Sequence, residues 1–175
     1  MVLDTVVSTK SVDTLVFKLV EESLSQVLTS LDFKNIQAGI IPPLTTWEQL
    51  SELVHTYNEE FNEADLEAWF ISIQSFSHDS RDRGTVTQYQ QLHRVLIEGF
   101  VWNRNLRDSY IQSRTKGENL AQTLEKNKGL MDSRFDESMN INVNYQFLSL
   151  SEVYLHKINT SLDVVVTLTE PAGRI

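Results

Sequence analysis

Residues 69–102 read WFISIQSFSHDSRDRGTVTQYQQLHRVLIEGFVW. The first eight, WFISIQSF, are short, aromatic and β-branched, which are the marks of a strand over 69–76. Residues 85–102, TVTQYQQLHRVLIEGFVW, read as a second and longer strand, polar in its first part and apolar in its second. A polar stretch ending in Gly84 joins them, so the simplest reading is a hairpin with its loop around 77–84. Gly99 inside the second strand marks a bulge or a close contact.

On the N-terminal side, Val12, Val16, Leu19, Val20, Leu24, Val27, Leu28 and Leu31 recur at steps of three and four. They predict an amphipathic helix over 12–31. FKNIQAGIIPP then reads as an extended segment closed by Pro42 and Pro43. Thr46 with Gln49, and Thr45 with Glu48, each match a capping box. The stripe Trp47, Leu50, Val54, Tyr57 and Phe61 predicts a helix over 46–61. Beyond the hairpin, 103–131 reads as a helix with Leu106, Tyr110, Leu120, Leu124 and Met131 on its apolar side. Gly117 interrupts it and Gly129 ends it. Residues 132–144 are polar and irregular. Two strands, 145–156 and 161–170, follow, joined by HKINTS as a hairpin. Antiparallel hairpins interleaved with helices predict one α+β domain over residues 1–175. Its sheet is antiparallel or mixed and built of hairpins, with helices packed on one face.

The loop holds the densest group of reactive side chains. His78, Asp79 and Asp82 are candidate metal or acid–base groups, yet their spacing matches neither HExxH nor an EF-hand loop. Arg81, Arg83 and Gly84 are a candidate phosphate cradle. However, GxxxxGK[ST] and GxGxxG are absent, and the alternating Arg and Asp neutralise one another. A mixed-charge contact loop is the better reading. His55, His93 and His156 are scattered and define no triad. The carboxylate pairs Glu21–Glu22 and Glu59–Glu60, and Glu63 with Asp65, read as solubilising surface charge.

The chain carries a net charge of −9 and no cysteine. The charge argues against a general nucleic-acid binder and against docking on anionic membranes. The missing thiols exclude disulfides and Cys-based zinc sites. No apolar run reaches the roughly 18 residues of a bilayer span, and the first residues lack the apolar core of a secretory signal. Trp69, Phe76, Phe100 and Trp102 stand on both faces of the hairpin. A sheet apolar on both faces is sandwiched within the chain or buried against another subunit, so these aromatics are candidate interface residues.

The layout resembles the phage tail terminator, or tail completion, proteins. VDTLVFKLVEESLSQVLTSL, IQAGIIPP, WFISIQSF with QLHRVLIEGFVWN, and FLSLSEVYLHKINTSLDVVVTLTE carry the resemblance. It spans most of the chain and is one of pattern. The helix at 46–61 and the region 103–144 depart from the family's short form. The resemblance implies a non-enzymatic virion protein of the tail or neck, assembled in the host cytoplasm and needing no cofactor. Such a protein forms a ring, a hexamer in the family, that ends growth of the tail tube. Its implied partners are its own copies, the tail tube protein, the head-side connector or neck protein and, in contractile tails, the sheath. DNA crosses the lumen without specific binding, and no membrane is involved. His78, Asp79, Arg81, Asp82, Arg83 and Gly84 would then form a contact loop toward a neighbouring subunit or the tube. Two other readings compete. One is an adaptor or stopper elsewhere in the neck. The other is a small α+β ligand-binding domain or enzyme with a pocket lined by Trp69 and Tyr89.

Overall fold

The structure, a computed structural model, describes residues 4–39, 41, 43–57, 65–83, 86–127, 135–151 and 153–171. In chain order the elements are α1 (Asp4–Ser30), β1 (Ile36–Ala38), α2 (Trp47–Tyr57), β2 (Asp65–Arg83), β3 (Val86–Asn103), α3 (Leu106–Lys126), β4 (Phe135–Leu150) and β5 (Val153–Pro171). The strands form one mixed sheet in the order β1-β2-β3-β5-β4. β1 runs parallel to β2, and every other neighbouring pair is antiparallel. This is the α+β class that the order of elements predicts.

Val16, Val20, Leu24, Val27 and Leu28 of α1 are buried on one stripe. The helix stops where Asp32 takes a left-handed φ of 57°. The Asp32 N–H then donates to the Thr29 carbonyl at 3.0 Å and the Phe33 N–H to the Leu28 carbonyl at 3.1 Å. That pair of bonds is a Schellman cap, and its usual hydrophobic contact is met by Phe33 joining Leu28 in the core. The start of α2 follows the sequence equally closely. The Gln49 N–H donates to Thr46 Oγ1 at 3.2 Å, while Gln49 Oε1 accepts from the backbone of Thr46 and Thr45. Of the two capping boxes the sequence offers, Thr46 with Gln49 is the one formed.

Two apolar layers lie on opposite faces of the sheet. On the first, α1 and α3 cover Trp69, Ile71, Val95, Ile97, Val101, Ile158, Leu162 and Val164. On the second, Leu50 and Val54 of α2 cover Leu66, Ala68, Phe70, Phe100 and Leu155 at one end. Helices on a single face therefore holds for α1 and α3 only. The alternation of apolar residues on both faces near 66–70 and 100–102 requires a cover on each side, and α2 supplies the second. Farther along, the second face turns polar. Glu98 pairs with Lys157, and Arg94 with Asp163 at 3.7 Å.

Three sequence expectations are corrected. Of the loop expected at 77–84, residues 77–83 are strand: the β2–β3 ladder runs from Asp65↔Asn103 to Arg83↔Val86. Residues 132–144 are not irregular throughout, since β4 starts at Phe135, with register shifts at 135/137 and 139/142. HKINTS is not a turn but the middle of β5. There His156, Ile158, Thr160 and Leu162 continue one face, and Thr160 and Ile158 are fully buried. The true turn follows Leu150, which pairs with Val153, and Ser151 takes a positive φ of 57°. Turns of this kind favour Asn and Gly. Ser151 gives no such signal, while Asn159 and Ser161 give a false one inside a buried strand.

α3 also differs in phase. Its buried face is Ser109, Ser113, Gly117, Leu120 and Leu124, not one containing Leu106 and Tyr110. The small side chains let the helix lie close to the sheet: a Cβ on Gly117 would come 2.8 Å from Tyr145 Cε1. Gly117 is thus a packing contact within a continuous helix. Gly129 and Met131 lie outside the described residues.

Candidate interaction surfaces

The expected contact loop becomes part of a long ribbon. β2 is 19 residues, roughly 60 Å of strand. Ladder register places His78 opposite Gln91, Asp79 opposite Gln90, Arg81 opposite Gln88 and Asp82 opposite Thr87. Strand alternation sets positions 78 and 82 on one side of the ribbon and 79, 81 and 83 on the other. His78, Asp79, Arg81, Asp82 and Arg83 thus stand on strand backbone and not in a loop. The side chains of 78–83, and Gly84 itself, lie outside the described residues. Among the described residues, no group of three or more His, Asp or Glu is placed to hold a metal ion. No described helix is long and apolar enough to cross a membrane.

The four candidate interface aromatics separate. Trp69 and Phe100 are buried in the chain's own two cores, where α1, α3 and α2 account for them. Trp102 is partly buried and tilts against Trp47 of α2, with ring centroids 5.2 Å apart. Phe76 alone remains on the surface, 59% exposed, stacked on the ring of buried His93.

Trp69 sits at the centre of a locking network. Its ring lies over Gly99 of the neighbouring strand and stacks on Phe33 at 4.3 Å. Its indole N–H donates to Glu67 Oε1 at 2.9 Å. The same oxygen accepts from the Lys34 amide and meets Lys116 Nζ at 2.8 Å. One buried carboxylate thereby ties β2, the α1–β1 connection and α3 together. Lys116 also lies over the Phe33 ring. Outside this network, between the end of α1 and α3, a groove of about 480 Å³ is lined by Leu31, Phe33, Asp108, Ile111, Gln112 and Lys116 among others. It is not the pocket at Trp69 that a ligand-binding reading expects, because Trp69 is closed off beneath Phe33.

The sheet's two edges differ. β1 pairs only Trp69–Ile71 of β2, so β2 has no outer partner among the described residues from Ser72 onward. β4 forms the opposite edge. Its regular ladder from Asn142 to Leu150, NVNYQFLSL, contains no charge, proline or bulge. Those are the devices that keep an edge strand from pairing with another chain.

At the end of that edge is an aromatic cluster that the sequence reading did not assemble. Phe147 stacks on Tyr154 with ring centroids 5.6 Å apart, and His156 touches both Phe147 and Tyr110. Arg114 lies 3.9 Å from the centroid of Tyr145 and 5.2 Å from that of Tyr110. Phe147 and Tyr154 come together across the Ser151 turn, so placing that turn correctly is the signal that would have found them. Burial pushes the His156 imidazole below its ordinary value, and nearby Arg114 adds to the shift. A hydrogen bond with the Leu106 backbone opposes it. The unfolded chain therefore takes up this proton more readily, and stability falls as pH drops below about 6.5. NMR titration of His156 is expected to give a pKa below that of an unstructured histidine. The acid-side loss of melting temperature should shrink in His156→Gln. A His156 titrating at or above the ordinary value would refute this.

Burial shifts Tyr145 the other way for the phenol, upward, with Arg114 opposing and Glu118 reinforcing. Both groups thus sit in a pocket of reduced solvation around one guanidinium. Comparison with protein-family models and with curated proteins finds no match for this chain.

Proposed function

We propose that this chain is a structural subunit that joins its own copies head to tail in a closed ring, capping a tail tube as the phage tail terminators it resembles do. The observation that supports the reading most is the pair of open, unlike edges on one sheet. β4 is uncharged from Asn142 to Leu150, and among the described residues β2 has no outer partner beyond Ile71. A closed cyclic assembly needs two different, complementary patches on each subunit. Two unlike strand edges meet that need by main-chain pairing, with no catalytic group required. The net charge of −9 suits a ring whose lumen passes DNA without holding it.

Native mass spectrometry and tube-elongation assays test the reading. The purified chain is expected to form a single closed ring, and its addition to growing tail tubes to stop elongation. The variant Asn142→Lys/Asn144→Lys/Gln146→Lys places charge on exposed positions of the β4 edge. It should leave the fold within about 0.5 kcal/mol of the parent and abolish the ring. A parent chain that stays monomeric and ignores tube ends would overturn the functional reading. A ring that survives the three lysines would overturn edge pairing alone, and a twelvefold ring would favour a portal-side adaptor.

A further inference from the structure

The first half of α3 is built outside in. Ser109, Ser113 and Gly117 face the sheet, while Leu106, Tyr110 and Ile111 are about half exposed. Tyr110 is continuous with Phe147 and Tyr154, also about half exposed, through His156. Burying Tyr110 in place of Ser113 would have been the ordinary use of an aromatic. Here the rings instead form an open platform across α3, β4 and β5.

The rim of that platform is basic in an acidic chain. Arg107 lies one turn before Tyr110 on the same helical stripe, Arg114 one turn after it, and Arg104 just precedes the helix. Arg104 and Arg107 are exposed, and among the described residues neither has an ion-pair partner. Arg114 is held over Tyr110 and Tyr145. Among the described residues the acidic groups nearby are Asp65, whose strand position lies opposite Asn103 and so beside Arg104, Asp108, on the neighbouring stripe beside the groove, and Glu118, one turn beyond Arg114. Exposed rings beside two exposed guanidiniums call for a ligand that carries both apolar side chains and negative charge.

We propose that Tyr110, Phe147 and Tyr154, with Arg104 and Arg107, form a docking site for a short acidic protein segment bearing an aromatic or aliphatic anchor. The anchor seats on the stacked Phe147 and Tyr154 rings, and its flanking carboxylates meet Arg104 and Arg107. The site lies at the turn end of the sheet and does not depend on ring formation.

The test is selection from a random dodecapeptide display library on the intact protein, followed by binding of the enriched peptides as labelled synthetic peptides. The enriched pool is expected to be net negative and to carry at least one aromatic or large aliphatic residue. Binding should weaken at least tenfold in Arg104→Glu/Arg107→Glu, at least tenfold in Phe147→Ser/Tyr154→Ser, and strongly in 0.5 M salt as a charge-assisted contact requires. Both arginines are exposed, so that variant keeps the fold and isolates the electrostatic part. No enrichment, a pool without acidic bias, or binding unchanged in the arginine variant would overturn the proposal. So would a twenty-residue oligothymidylate that binds the parent and is lost in the same variants, because it would assign the platform to single-stranded nucleic acid.

Discussion

Gly99→Ala is expected to destabilise the fold by about 3 kcal/mol, the upper end of the usual cost of overpacking a core. The added Cβ would fall 2.6 Å from Trp69 Cε3. The ring has nowhere to go. Phe33 stacks on it from the α1 side, and its N–H is held by Glu67. The result should depend on the tryptophan. Trp69→Leu alone is costly by about 3 kcal/mol because it opens a cavity, but in that background Gly99→Ala should become nearly neutral. The expected coupling, read from urea midpoints of the four proteins, is at least 1 kcal/mol, within the range for residues in direct contact. An equal cost of Gly99→Ala in both backgrounds would mean that the glycine serves the strand and not the ring.

Lys116→Met should be comparably severe, at about 3 kcal/mol. It removes the ammonium from a carboxylate whose side chain is only 8% exposed. Replacing the pair is expected to be milder than breaking it. Lys116→Met with Glu67→Gln keeps an amide oxygen for the Trp69 indole and the Lys34 N–H while removing the unpaired charge. Chemical denaturation of the single and double variants decides the matter. Recovery of more than half of the loss is expected, and no recovery would show that Lys116 acts through its packing on Phe33.

How much of this was legible in the sequence follows from where each signal is local. The α1 stripe and the Thr46–Gln49 cap are short-range patterns, and the structure uses them directly. The existence of the β2–β3 hairpin was also readable, from β-branched and aromatic runs. Its polar half was not, because a ladder between SFSHDSRDR and VTQYQQ rests on main-chain pairing and shows no apolar alternation. The same reason hid the start of β4, an edge strand whose asparagines face solvent. In α3 the sequence misleads: Leu106 and Tyr110 look like a core stripe, but Ser109, Ser113 and Gly117 win that face by allowing closer approach. The buried role of Phe100 depended on α2 crossing to the second face, and that of Trp69 on Phe33 folding over it after α1, neither of which a local pattern states. The platform of Tyr110, Phe147, Tyr154 and His156 comes from three elements and exists only once the turn is set at Ser151.

The strand order carries a consequence for the timing of folding. β5 lies between β3 and β4, although it follows both in sequence. During synthesis, which releases the chain from its N-terminal side, the inner edge of β3 stays bare until residues 153–171 have emerged. β4 emerges before β5, the strand it pairs with. For that interval a nascent chain displays Val95, Ile97 and Val101 on an unfinished sheet, and on a polysome it does so beside identical neighbours. A subunit of this topology thus meets its own copies first as an incomplete sheet, when wrong pairing is easiest. The polar, glutamine-rich run that opens β3 is suited to keeping that encounter brief.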